Sequence, residues 1–249
     1  MSFKDHFSGH AADYARFRPS YPPSLFAWLA RQAPARRLAV DCGTGNGQAA
    51  NALATHFDRV VASDASAPQV AQARGPANVC YEVAPAEADV VEAGTADLVT
   101  VAQALHWFDV DAFYATAARA LAPGGLLAVW TYELMTVSAD VDAAVLGFYR
   151  GAIDGYWPPE RDHVEDGYRD IVPPWPRLAT PRFEVRANWR AGDALGYLAS
   201  WSAVRRYRRA TGHDPVAALA DTLRAAWGPQ RRSVRWPLVL HAFRRPSTP

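Results

Sequence analysis

Apolar and polar positions alternate along this chain in a repeating cycle of apolar run, turn and amphipathic stretch. The apolar runs fall at residues 38–42, 60–63, 79–83, 97–102 and 126–130. Gln48 to Ala54 predicts a helix after the first run, and Ser66 with Pro68 opens a short one through Ala73. Asp109 caps a third, whose apolar face is Val110, Phe113, Tyr114, Ala117 and Leu121 and which Pro123-Gly124-Gly125 stops. Ahead of the first run, Pro22 and Pro23 introduce a helix with Leu25, Phe26 and Leu29 on one face, ending near Pro34. Near-continuous apolar strands between amphipathic helices predict an α/β fold, a parallel sheet covered on both faces.

Beyond Tyr132 the pattern changes. A helix is expected from about Ala139 to Ala152, followed by a stretch holding Pro158, Pro159, Pro173, Pro174, Pro176 and Pro181. Proline at that density forbids long helices and central strands, so an irregular cap is expected. Phe183, Val185, Ala187 and Trp189 alternate as a sixth strand, and Val234, Trp236, Leu238, Leu240 and Ala242 as a last one. Two or three helices separate them, the clearest running from Asp214-Pro215 to Trp227-Gly228-Pro229. The expected organisation is a single domain, 1–249, with an N-terminal arm at 1–23 and a proline-rich cap insertion at 136–182. Phe7, Tyr14, Phe17 and Tyr21 make the arm too aromatic for a loose tail.

Composition narrows the function classes. Of 249 residues half are hydrophobic and a fifth charged, which excludes a disordered chain. Lys and Arg number 26 against 25 Asp and Glu, so no global field recruits nucleic acid or an anionic membrane. No run approaches the roughly 20 apolar residues of a membrane span and the start lacks a signal-type stretch, so a soluble, cytoplasmic protein is expected. Cys42 and Cys80 read as small buried hydrophobes in a reducing compartment. No C-x-x-C, H-E-x-x-H or nucleophile elbow is present, and no metal site is expected.

The chemistry is concentrated in Asp41-x-Gly43-x-Gly45-x-Gly47 at the end of the first strand, with Asp64 at the end of the second. Glycines let a ligand touch the backbone and permit positive φ. Asp64 stands where an acid accepts hydrogen bonds from both hydroxyls of an adenosine ribose. The dinucleotide fingerprint is G-x-G-x-x-G, whereas here the third glycine comes one residue early and an acid precedes the loop.

That variant resembles the class I S-adenosylmethionine-dependent methyltransferases, and specifically the small-molecule "type 11" group that includes trans-aconitate methyltransferase. The likeness extends to Ala12-Asp13-Tyr14, Arg18-Pro19-Ser20-Tyr21-Pro22, Ala86-Glu87, Gln103-Ala104-Leu105-His106-Trp107-Phe108, Leu121-Ala122-Pro123-Gly124-Gly125 and Ser200-Trp201-Ser202. It implies a Rossmann-like seven-stranded sheet of order 3-2-1-4-5-7-6, the last strand antiparallel. It also implies that S-adenosylmethionine is the cofactor, bound by Asp41, Gly43, Thr44, Gly45, Gly47, Asp64, Ala65, Ala86, Glu87 and Gln103. By the same resemblance Tyr14 and Arg18 belong to an arm that closes over the cofactor, Tyr14 being also a catalytic candidate. An Asp41 carboxylate beside the cofactor's ammonium is sensible chemistry. His106 is open to two readings, a packed pocket wall beside Trp107 or a general base.

The function expected is methyl transfer to a small molecule, with the oxygen of a carboxylate or hydroxyl favoured. The alternatives are an NAD(P)-dependent oxidoreductase, which the early third glycine opposes, and a catalytically silent module that binds the cofactor. No Asn/Asp-Pro-Pro-Tyr motif marks a methylase of nucleic-acid bases. Residues 200–249 carry ten arginines and two acids. Among them Arg205, Arg206, Arg208 and Arg209 either steer an anionic acceptor or form a solvated face.

Overall fold

The computed structural model describes residues 20–245. Seven strands, β1 (Leu38–Cys42), β2 (Arg59–Asp64), β3 (Val79–Val83), β4 (Ala96–Ala102), β5 (Leu121–Tyr132), β6 (Phe183–Trp189) and β7 (Arg232–Arg244), form one sheet in the order β3-β2-β1-β4-β5-β7-β6. The first five run parallel, and β7 pairs antiparallel with both β5 and β6. Expected order and polarity both hold.

Among the described residues the helices are α1 (Pro23–Gln32), α2 (Gln48–Leu53), α3 (Ala67–Gln72), α4 (Val110–Ala120), α5 (Ala139–Gly147), α6 (Arg161–Glu165), α7 (Ala191–Ala199), α8 (Ser202–Thr211) and α9 (Pro215–Trp227). Asp109 and Asp214 cap α4 and α9, their carboxylates accepting from the Ala112 and Val216 amides at 3.3 and 3.0 Å. The period of two along each strand sorts side chains into two cores. Leu98, Leu126 and Trp130 face α1, α5 and the C-terminal helices, while Val99, Leu127 and Val129 face Phe113 and Ala117 of α4. Buried Asp97 ties down the entry to β1, accepting from the Arg37 and Leu38 amides at 2.8 and 3.3 Å.

Three expectations need correction. β5 starts at Leu121, not Leu126, because Leu121 pairs with Ala96 and the Pro123-Gly124-Gly125 turn bulges out before pairing resumes at Leu126. The helix expected to reach Ala152 ends at Gly147 and passes into a π-helical turn, Phe148–Ala152. Cys80 is exposed, because β3 is the sheet edge and that face of it is uncovered; Cys42 is buried.

The segment between β5 and β6 is joined to β7 at several points. Isolated bridges pair Thr136 with Arg235 and Arg177 with Phe243. Buried His241 places Nδ1 2.7 Å from Arg177 Nη2 and Nε2 2.6 Å from the Gly167 carbonyl. Arginine can only donate, so Nδ1 accepts and Nε2–H donates, fixing a neutral ring. Burial, the leading cause, lowers its pKa. No helix among the described residues is long and apolar enough to cross a membrane.

β2 lies between the two cysteine-bearing strands, two spacings of about 4.8 Å, beyond the roughly 7 Å limit for a disulfide. Burial, with the Asp41 charge adding to it, pushes the Cys42 thiol up to about 12. Ellman titration should therefore find one reactive thiol, Cys80, in the native protein and two after denaturation without reductant. Two fast-reacting native thiols would contradict the packing around β1.

Candidate functional site

The parallel strands deliver their carboxyl ends to one edge, where β1 and β4 are neighbours and the crossovers diverge. Gly43, Gly45 and Gly47 have φ of 66°, 58° and 90°. At Gly43 a Cβ would also lie 2.6 Å from the Ala104 Cβ, so the loop can sit this close to the β4 turn only as glycine. Above Gly45 the space is open, with nothing within 4 Å of where a Cβ would be. Asp64 clasps the loop, its Oδ2 accepting from the Gly45 amide and its Oδ1 from the Ser66 amide, both at 2.8 Å. The Thr44 amide adds a 2.9 Å bond to the Ser63 carbonyl.

Asp41 lies beneath the loop with 0% exposure. Thr44 Oγ1 donates to its Oδ2 at 2.6 Å and Thr100 Oγ1 to its Oδ1 at 2.7 Å. Burial raises its pKa to about 6, against the lowering effect of the two threonines; Asp64's charge adds a smaller upward push. Thr100, a strand residue unmarked in the sequence, is thus part of the site's support.

Gln103 follows β4 with φ 59°, a left-handed conformation uncommon outside glycine. Its Oε1 accepts from Thr131 Oγ1 at 2.8 Å and from the Tyr132 amide at 2.9 Å, which assigns the other carboxamide atom as the NH2 donor. His106, in a 3-10 turn (Leu105–Trp107), packs against Trp107 with ring centroids 4.6 Å apart and planes tilted by 44°, and sets Nδ1 2.8 Å from the hydroxyl of buried Tyr168. Burial raises the Tyr168 pKa, so this partner stays a phenol. Ala65 is half-buried beside Asp64, and Ala86 is buried. The Glu87 carboxylate is occupied at the entry to α4, accepting from the Asp109 amide at 2.9 Å. Tyr14 and Arg18, with most of the arm, lie outside the described residues.

Next to Gln103 and His106 opens a cavity of about 70 Å³, walled also by Trp157, Arg161, Tyr197 and Trp201. Ser200 and Ser202 line it too, so the Ser200-Trp201-Ser202 motif reaches the site. Arg205, Arg206, Arg208 and Arg209 are not in this wall. Arg208 is spent on Asp214, to which it donates at 2.8 Å, and Arg205 Nη1 donates to the Ser200 carbonyl at 2.8 Å. Trp157, Arg161, Tyr168 and Tyr197 were not singled out from the sequence. Their neighbourhood is tertiary, and no spacing signals it.

Two carboxylates under and beside an open glycine loop, with no Lys or Arg among residues 41–48, suit a ligand that is cationic and lacks phosphate. Position of the loop and the strand order β3-β2-β1-β4-β5-β7-β6 define an α/β protein of the methyltransferase kind. A profile described as a methyltransferase domain matches residues 40–129. A Dictyostelium discoideum protein provisionally named a methyltransferase is 34% identical over 229 residues, covering 90% of this chain and 87% of its own. The solved structure of a provisionally named type II methyltransferase from Anaeromyxobacter dehalogenans is 45% identical, with a TM-score of 0.87, and covers 93% of this chain and 99% of that one. A Haemonchus contortus N-methyltransferase solved with S-adenosylhomocysteine shares the fold alone, at 18% identity and a TM-score of 0.51 over 99% of this chain and 61% of that one. The chain belongs to the class I methyltransferases, whose methyl donor is S-adenosylmethionine.

The raised Asp41 pKa has a stability consequence. A carboxyl that holds its proton more tightly when folded gives a contribution fully present below the unfolded value of 3.8 and lost as pH rises through about 6. The loss is on the order of 3 kcal/mol. Asp41→Asn does not titrate, so its melting temperature relative to wild type should rise between pH 5 and pH 7.5, measured without cofactor. A pH-independent difference would show that burial of the charge is fully compensated.

Proposed function

We propose that the protein methylates an oxygen, carboxylate or hydroxyl, of a small-molecule acceptor. The observation that carries this reading is the half-open cavity beside Gln103 and His106, walled by Trp107, Trp157 and Trp201 and carrying the polar groups of Arg161, Ser200 and Ser202.

In this reading the Asp64 carboxylate accepts from the ribose hydroxyls, and Gly43, Gly45 and Gly47 allow the ligand to lie on the backbone. Asp41, having no solvent contact, acts from behind the loop, where its charge is poorly screened and favours the cofactor's ammonium. The Gln103 NH2 is aimed by the two bonds to its oxygen, and Ala65 and Ala86 give apolar surface to the adenine. Tyr14 and Arg18 remain assigned to closure of the arm by the family resemblance. Bound S-adenosylmethionine supplies an electrophilic methyl on sulfur, and its transfer leaves a neutral thioether. The work left to the protein is to line the acceptor up and keep water away, which the Trp107, Trp157 and Trp201 walls do. A carboxylate acceptor becomes an ester and has no proton to lose, whereas a hydroxyl must surrender one. His106, packed against Trp107 and held by Tyr168, serves as wall in this account.

Transfer of label from S-adenosylmethionine to a panel of organic acids and phenols tests the reaction itself; no turnover on any of them would favour a silent module. Asp64→Ala removes charge-assisted hydrogen bonds worth roughly 1.5 to 3 kcal/mol each, so S-adenosylhomocysteine should bind at least about tenfold more weakly by calorimetry. Equal affinities would remove Asp64 from the cofactor site.

Once an acceptor is in hand, His106→Asn should lower kcat only a few fold, since the substitution keeps polarity and size but takes no proton at neutral pH. A fall of about a hundredfold at unchanged cofactor affinity would make His106 the base.

A further inference from the structure

The geometry points to Arg161 as the residue that selects the acceptor, by holding an anionic group, a carboxylate above all, against the aromatic wall of the cavity. The inference rests on the methyltransferase reading of this site and names the acceptor class that the reading leaves open. Arg161 is the first residue of α6 and lines the cavity with His106, Trp157 and Gln103. Its guanidinium lies over the Trp157 ring at 4.9 Å and the Tyr149 ring at 5.4 Å. Nε donates to the Tyr149 hydroxyl at 2.8 Å. The head is thereby fixed in plane and direction, while Nη1 and Nη2 have no hydrogen-bond partner among the described residues.

The neighbouring charges do not consume it. Glu165 feels the Arg161 charge but accepts its hydrogen bonds from Arg150 Nη2 and from the Tyr149 hydroxyl, each at 2.5 Å, and makes no ion pair with Arg161. The carboxylate of the cavity wall, Glu133, is exposed, so water screens it. Nearby, the Trp157 Nε1 is buried with no partner. A half-buried guanidinium held at Nε and stacked on two rings presents its two terminal amines as a fork, the arrangement that fits the two oxygens of a carboxylate. Lys at this position would supply charge without the fork or the stacking. The alternative is that the two rings and the Tyr149 hydroxyl are all that Arg161 serves, in which case it would not distinguish charged from neutral ligands.

The test compares carboxylates with neutral carboxamides of the same shape: benzoate with benzamide, cinnamate with cinnamamide, and glutarate with glutaramide. Each is titrated calorimetrically into full-length protein saturated with S-adenosylhomocysteine. Wild type should bind at least one carboxylate about tenfold or more tightly than its amide. Arg161→Gln should bring that ratio to within about twofold while S-adenosylhomocysteine affinity stays unchanged, and Arg161→Lys, which covers the case of a poorly folding glutamine variant, should leave an intermediate ratio. Equal binding within every pair, no binding by any carboxylate, or a preference that survives in Arg161→Gln overturns the assignment with the cofactor reading intact. Failure of wild type to bind S-adenosylhomocysteine at all would instead overturn the cofactor reading, and this inference with it.

Discussion

A carboxylate without solvent contact is the point to which the glycine-loop edge of the sheet is referred. Parallel register sets Asp41 beside Ala62 of β2 and Thr100 of β4, and Thr100 donates to it across the strands while Thr44 donates from the loop above. The loop and the left-handed turn at Gln103 follow directly on β1 and β4, the strands that Asp41 joins through Thr100, and the Asp64 clasp ends β2 beside them. A loop held only for its shape would be served by an amide, which buries at lower cost than a charge. A charge kept there makes sense as a standing negative potential for a cationic ligand, and the threonine hydroxyls keep it tolerable.

How far this was legible depends on whether a feature is local. The strands could be read because the sheet sorts neighbours such as Leu98 and Val99 onto opposite cores, leaving continuous apolar runs. The loop could be read because three glycines, an acid before them and Asp64 after them need no partner to be noticed. Cys80 was misplaced because its flanks look buried, whereas edge position belongs to the topology of β3 and not to its five residues. The acceptor side was the least legible part. Proline density between residues 158 and 181 says what cannot form, but not that Arg161 would meet Tyr149 and Trp157. The C-terminal arginines stood out by number, yet Asp214, the cap of α9, takes up Arg208.

The family relationship divides along the same line. The matched domain profile ends at residue 129, so it contains the loop, Asp64, Gln103 and His106 but stops before Tyr132, Trp157, Arg161 and Tyr197. Kinship therefore speaks strongly about the methyl donor and weakly about the acceptor. Likeness to the Dictyostelium and Anaeromyxobacter proteins runs across nearly the whole chain, so those proteins are the proper comparison for the cavity beside Gln103 and His106.

The seams between the inserted segment and β7 carry an implication for how such a protein can diversify. Thr136 is bridged to Arg235 at one end, and Gly167 and Arg177 are fastened to His241 and Phe243 at the other. Everything between residues 137 and 166, including Tyr149, Trp157 and Arg161, is then a cassette with both ends anchored on a strand of the sheet. Its solvent-facing and cavity-facing positions can be rewritten, by drift or by grafting from a relative, without disturbing the glycine loop, provided the replacement spans the same two anchor points and keeps the apolar side chains, Val141, Val145 and Phe148 among them, that it lends to the core. If the cavity takes the acceptor as proposed, donor chemistry and acceptor choice are inherited separately within one polypeptide.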